Sequence, residues 1–203
     1  MKISNDASLS VGFLENGSVE YIQAGKVRVN LRMSSPYARS GTSLYLRNRK
    51  KPYTFTALTG PESKSQFKLE DNKYFSRGQW EGLEYQCSMA LAQGKTEWQW
   101  DVCIRNHNEE ELELDLFFIQ DAGLRDAQPG NVNEYYVSQY IERLVLEDEL
   151  YGPVICCRQN MKQSVGHPWL MLACNNGAEA ASVDGMQFFG KTFRETGIPE
   201  GLL

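Results

Sequence analysis

The stretch TEWQWDVCIR, Thr96–Arg105, decides the fold class. Trp98, Trp100, Val102 and Ile104 recur at every second position, and Glu97, Gln99, Asp101 and Arg105 oppose them. Successive side chains of an extended strand point to opposite faces, so this alternation describes a strand with one face in a core and one in water. Glu111–Phe118 repeats it, with Leu112, Leu114, Leu116 and Phe118 against Glu111, Glu113, Asp115 and Phe117. Val27–Met33 does so upstream, with Val27, Val29, Leu31 and Met33 against Arg28, Asn30 and Arg32. Strands with one wet face belong to antiparallel sheets. The connection Asn106-His107-Asn108-Glu109 is expected to join the two longest alternating strands as a hairpin. Asn16-Gly17, between Val11–Glu15 and Ser18–Gln23, reads as another, because both residues tolerate positive φ. Gly60-Pro61, Gly78, Gly94, Gly130 and Gly152-Pro153 mark further breaks.

Helical signal is thin. Glu134–Leu150 is the best candidate, with Ile141, Leu144 and Val145 on one side, yet Tyr135, Tyr136, Val137 and Tyr140 favour a strand. Glu134–Tyr140 is therefore ambiguous. The fold class that follows is all-β, an antiparallel sandwich with little helix, in which length favours a sandwich over a barrel. With 203 residues and neither repeat nor linker, the chain reads as one domain, 1–203. Hydrophobic residues make up 41% and charged residues 23%, which suits a packed core.

The formal net charge is −5 and the isoelectric point about 5.2. Nucleic acid is not the expected partner, since its binders carry a basic footprint. An anionic membrane surface is excluded on the same ground. No apolar run approaches the ~20 residues of a membrane helix. The start, MKISNDASLSVGF, lacks the apolar centre of a signal peptide, so a cytoplasmic location is expected. The five cysteines, Cys87, Cys103, Cys156, Cys157 and Cys174, are odd in number and include an adjacent pair, which suits reduced thiols.

Catalytic signatures are missing. The chain has no GxGxxG, P-loop, GxSxG, CxxC or HExxH pattern. Two histidines, His107 and His167, are too few for a multi-histidine metal site, and each reads as a polar loop residue. No cofactor and no metal are expected. Glycosidic chemistry needs paired carboxylates, or one acid with phosphate in a phosphorylase. Among 26 acidic residues a pair is always to be found, and Glu111, Glu113 and Asp115 are wet-face strand members. Arg47-Asn48-Arg49-Lys50-Lys51 reads as a solvated basic loop, and Trp98 and Trp100 as core.

One region departs from simple alternation. From Gln120 to Asn160 polar groups crowd together: Gln120-Asp121, Asn131, Asn133-Glu134, Ser138-Gln139 and Arg158-Gln159-Asn160. Amides, a guanidinium and tyrosines suit sugar hydroxyls and sugar faces, and they equally satisfy backbone in irregular loops.

The same region carries a resemblance. QDAGL at Gln120–Leu124, NEYYVSQYIE at Asn133–Glu142, CRQN at Cys157–Asn160 and DGMQFFG at Asp184–Gly190 resemble the N-terminal domain of glycoside hydrolase family 94, formerly glycosyltransferase family 36, the cellobiose phosphorylase family. FLENGSV at Phe13–Val19 and LYLR at Leu44–Arg47 fit more loosely. The likeness is nearest to 1,2-β-oligoglucan phosphorylases and cyclic β-1,2-glucan synthases. Tyr135 and Arg125-Asp126 stand where such relatives tend to carry smaller residues.

The resemblance implies a β-supersandwich of galactose-mutarotase-like type, followed by a helical linker and an (α/α)6 barrel. That barrel would hold the general acid and most of the phosphate site. Inorganic phosphate would be the co-substrate of the whole enzyme, and a β-glucan oligosaccharide its substrate. Nothing in this chain resembles the barrel, so its expected partner is a C-terminal catalytic barrel of the same polypeptide, and no catalytic residue is assigned here. Asn133, Glu134, Gln139, Arg158, Gln159 and Asn160 become the candidates for substrate or interdomain contacts.

Three functions compete: a non-catalytic domain of a β-glucan phosphorylase, a stand-alone carbohydrate-binding sandwich, and a stand-alone epimerase. The last needs a positioned acid–base set that two loop histidines do not supply. An excised domain is expected to expose an apolar patch of several hundred Å². A homodimer is one way to hide it.

Overall fold

The computed structural model describes residues 1–36, 41–127 and 134–203, apart from the side chains of Glu134, Tyr135 and Arg194. Strands dominate, their pairings are antiparallel, and the helices are short, as the alternation predicts. The chain divides into two compact units, Met1–Asp121 and Ala122–Leu203.

In the first unit, β1 (Lys2–Ser4), β2 (Leu9–Phe13), β3 (Val19–Ala24) and β4 (Val27–Arg28) lie side by side in that order. The remaining strands are β5 (Thr42–Asn48), β6 (Thr54–Ala57), β7 (Ser65–Glu70), β8 (Lys73–Trp80), β9 (Leu83–Leu91), β10 (Trp98–Asn106) and β11 (Leu114–Gln120). They form a three-stranded sheet, β11-β5-β6, and a four-stranded sheet, β10-β9-β8-β7. Two tight turns build the larger sheet. Asp71-Asn72 joins β7 to β8 and Glu81-Gly82 joins β8 to β9, all four residues with positive φ. That geometry matches the twist of paired strands.

The four-stranded sheet packs against both others. Leu44, Leu46 and Leu58 meet Trp80, Leu83, Tyr85 and Cys87 in one buried cluster. At the other end Tyr74 stacks on Phe13 of β2 with ring centroids 4.2 Å apart and planes 1° apart, and meets Trp100 edge-on at 5.8 Å. Its hydroxyl donates to the Gly17 carbonyl at 2.9 Å. Each fully buried side chain of this size contributes about 1.5–3 kcal/mol. Burial pushes the Cys87 thiol up to about 12 and raises the Tyr74 phenol well above its usual range.

Several local expectations change. Asn106–Glu109 does not close a hairpin: β10 pairs with β9 and β11 with β5, so the segment crosses from one sheet to another. Val27–Met33 is a strand only over its first two residues. The buried Asn30 side chain then accepts from Ile22 N at 2.9 Å and donates to the Arg32 carbonyl, replacing the ladder with side-chain bonds. Asn16-Gly17 does turn β2 into β3, but through a longer loop in which Gly17 alone has positive φ and Asn16 Oδ1 accepts from Ser18 N. Gly78 is no break; it lies inside β8, where a Cβ would strike the Tyr85 ring. Arg47 is not solvated. It lies between the Tyr53 and Phe117 rings, 4.8 and 4.9 Å from their centroids, and bonds Asp115 at 2.7 Å.

The second unit holds β12 (Arg125–Asp126), α1 (Glu134–Gln139), β13 (Ile141–Asp148), β14 (Gly152–Gln159) and β15 (Trp169–Leu172). Two short helices follow, α2 (Gly185–Phe189) and α3 (Phe193–Thr196), then a 3-10 turn over Glu200–Leu202. The ambiguous Glu134–Tyr140 is helical for six residues, and the chain turns into β13 at Ile141. The sheet runs β13-β14-β15. All five cysteines are free thiols; Cys87 and Cys157 are buried, Cys103 and Cys174 exposed. No helix among the described residues is long and apolar enough to cross a membrane.

Candidate functional site

In the second unit, register decides which polar residues meet. Directly opposed residues of antiparallel strands share a face. Glu142 of β13, Arg158 of β14 and Trp169 of β15 form one such row. The next row on that face is Leu144, Cys156 and Met171. The opposite face carries Ile141, Cys157, Gln159 and Leu170, all buried.

At the polar end of the sheet, Asn160 N donates to the Tyr140 carbonyl at 2.8 Å, which brings the end of α1 beside the end of β14. Gln139 and Asn160 are exposed there. The Arg158 guanidinium lies over the Trp169 ring, 5.4 Å from its centroid, within cation–π range. Arg158 Nε is buried without a hydrogen-bond partner. Trp169 itself is 62% exposed. Tyr136 and Tyr140 meet edge-on at 5.1 Å, and the Tyr140 hydroxyl donates to that of Tyr136 at 3.2 Å, which pushes the Tyr140 phenol up.

Of the six residues singled out from the sequence, Gln139, Arg158 and Asn160 gather at this end. Glu134 opens α1, but its side chain lies outside the described set, and so does Asn133 altogether. Gln159 is placed differently, on the buried face with no exposed surface. Its Nε2 donates to the Gly123 carbonyl at 3.0 Å, its Oε1 accepts from Met161 N at 2.9 Å, and its carbonyl lies 3.0 Å from His167 Nδ1. Gln163 and Ser164 extend the same scaffold to Asp126, whose carboxylate accepts from Ser164 N at 2.9 Å and Oγ at 2.6 Å. The QDAGL and CRQN motifs are thus linked through the Gly123 carbonyl, by backbone satisfaction rather than by chemistry on a ligand.

Gln120-Asp121 belongs to the first unit. Asp121 Oδ2 accepts from Arg32 N at 2.8 Å, and its N–H donates to the Gly41 carbonyl. A small hollow in that unit is lined by Ser18, Thr42, Tyr45, Ala57, Thr59 and Pro61 among others. Its volume of about 20 Å³ holds one or two waters and no sugar ring. His107 is an exposed loop residue 3.1 Å from the Glu84 carboxylate. Among the described residues no group of three or more His, Cys, Asp or Glu is placed to hold a metal.

Trp169 is the residue the sequence reading missed. Its signal was WLML at Trp169–Leu172, a run apolar on both faces that simple alternation does not single out.

Antiparallel sheets with short helices define the fold class, and comparison places the chain within a family. The chain belongs to the SOGP N-terminal domain family, which it matches over residues 12–203. It is 24% identical over 199 residues to a 1,2-beta-oligoglucan phosphorylase of Listeria innocua serovar 6a. That match covers 97% of this chain, which spans only 17% of the length of the relative.

Proposed function

We propose that this chain is the non-catalytic N-terminal domain of a larger carbohydrate-active enzyme, an inverting β-glucan phosphorylase of the type gathered in glycoside hydrolase family 94. The β-1,2-oligoglucans are the favoured substrates. The observation that carries this is the match itself, nearly the whole of this chain against a small part of a phosphorylase. The domain supports an (α/α)6 barrel supplied by the same polypeptide, and the loops at the polar end of the β13-β14-β15 sheet border its sugar cleft. Gln139, Arg158 and Asn160, with Asn133 and Glu134 beside them in sequence, are the contacts proposed there. Phosphate enters as co-substrate in the barrel, and the enzyme works in the cytoplasm.

The test is phosphorolysis. The longest natural polypeptide containing this chain is expected to release glucose 1-phosphate from β-1,2-oligoglucan and inorganic phosphate, and the 203-residue chain to release none. Turnover by the chain alone would sink the reading, as would a natural polypeptide that stops at Leu203. A second reading, a stand-alone carbohydrate-binding sandwich, draws on the exposed Trp169 ring backed by Arg158. Calorimetric titration with β-1,2-gluco-oligosaccharides decides it: no heat at millimolar sugar removes it.

A further inference from the structure

The most open apolar surface of the β13-β14-β15 sheet lies along its middle. Leu144 and Leu146 of β13 are 44% and 51% exposed, and Trp169 and Met171 of β15 are 62% and 69% exposed. Register puts all four on one face, with Cys156 of β14 between the outer strands and the buried Val154 opposite Leu146. The reverse face buries Ile141, Cys157, Gln159 and Leu170 and exposes Val145. The side that alternation should give to water is therefore the apolar one. Trp, Met and Leu flanked by a stacked Arg is the composition of an interface centre, not of a solvated sheet. Glu142 and Asp148 share this face along β13 and are exposed. The N–H groups of Tyr151 and Leu150 hold the Asp148 carboxyl below its usual range, so it stays charged.

We infer that this face is the seat of a later segment of the same polypeptide, with an apolar centre and basic groups along the side that meets β13. The inference rests on the reading of the chain as one domain of a longer enzyme, and it adds the surface by which that domain is held. Most of the matched relative lies outside the match, which covers 17% of its length, and the family matched here is an N-terminal domain. Size separates a tethered occupant from a free one. The patch amounts to a few hundred Å², as large as monomers ordinarily expose. A stable contact between separate chains buries about 800 Å² on each partner. A segment joined covalently acts at an effective concentration in the millimolar range, so a smaller patch suffices.

Met171 reports the occupancy. Its oxidation by hydrogen peroxide, followed by peptide mass spectrometry, is compared between the 203-residue chain and the longest natural polypeptide containing it. Oxidation should be rapid in the chain and about ten-fold or more slower in the longer protein, since thioether oxidation follows exposure. Leu146→Glu should leave the melting temperature of the chain unchanged and restore Met171 oxidation in the longer protein. Equal oxidation in both proteins overturns the inference while the domain reading stands. A natural polypeptide ending at Leu203 overturns both. Protection of Met171 in a self-associated chain, seen by sedimentation, assigns the face to a second copy and overturns it. Protection of the isolated chain by millimolar β-1,2-gluco-oligosaccharide assigns it to a glycan, with the same consequence.

Discussion

The sheet around β9 and the sheet around β13 use the same backbone pattern to opposite ends. In β9, Leu83, Tyr85, Cys87, Met89 and Leu91 are buried and every residue between them is less so. In β13 only Ile141 is buried, and Leu144, Val145 and Leu146 stand exposed in succession. The first unit closes most of its apolar faces on itself, sheet against sheet, with Leu116 and Phe118 of the edge strand β11 left exposed. The second buries Ile141, Cys157, Gln159 and Leu170 on one face, where Val145 is exposed, and leaves Leu144, Leu146, Trp169 and Met171 exposed on the other, where Val154 is buried. A closed core shows where stability resides, and an open apolar face shows where it is incomplete.

This contrast is open to measurement. Leu46 is fully buried between sheets, so Leu46→Ala should cost about 2–5 kcal/mol in urea unfolding through lost transfer energy and the cavity left behind. A loss below about 1 kcal/mol would mean the first unit is less closed than its burial implies.

Alkaline pH probes the same core. The Cys87 thiol ordinarily titrates near 9.0 and is pushed up to about 12 in the folded chain. Between those values the unfolded chain has lost this proton and the folded one keeps it, so stability is full below about pH 9 and falls as pH rises toward 12. The slope from one such group reaches about 1.4 kcal/mol per pH unit. Buried Tyr74 and Tyr85, both raised above 10.0, add in the same direction. Urea midpoints measured across this window should fall less steeply for Cys87→Ala; identical slopes would remove Cys87 from the account.

On the covered face of the second unit, Gln159→Leu strips partners from Met161 N and the Gly123 carbonyl. The expected cost is about 1–3 kcal/mol, from polar groups left buried and unpaired. A neutral result would free Gln159 from its scaffold role. On the open face, Leu146→Ser and Met171→Ser should change the stability of the 203-residue chain by no more than about 0.5 kcal/mol. A larger loss would show that the face is covered within the chain and would erase the contrast.

Much of the strand content was legible because burial of one face writes itself into alternation. Trp98–Ile104 announced its strand on that ground alone. Leu112–Phe118 announced a strand that begins at Leu114, but its burial departs from the alternation, with Leu116 and Phe118 exposed and Asp115 half-buried beside Arg47. Their partners were not legible: the pattern records which side is apolar, not which strand lies alongside, so a sheet-to-sheet crossing reads like a hairpin. Val27–Met33 misled for a related reason. Asn30 sits where a wet residue was expected, yet its amide is buried and takes the place of the ladder. Of the polar cluster, Gln139, Arg158 and Asn160 reached one end of a sheet, while Gln159, their immediate neighbour, points the other way. Adjacent strand residues face opposite sides, so a run of polar letters cannot all serve one surface.

The sequence by itself determined an all-β chain, the turn at Gly17, free thiols in place of a disulfide framework, and a likeness to the N-terminal part of a phosphorylase. Those properties are local, or shared with a relative along nearly the whole of this chain. Only the tertiary structure decided that Gln159 is a clamp, that Arg158 stacks on Trp169, and that Leu144, Leu146, Trp169 and Met171 stand exposed on one face. Each of these depends on register between strands distant in the chain, and register is set by packing across the sheet rather than by any single stretch of residues.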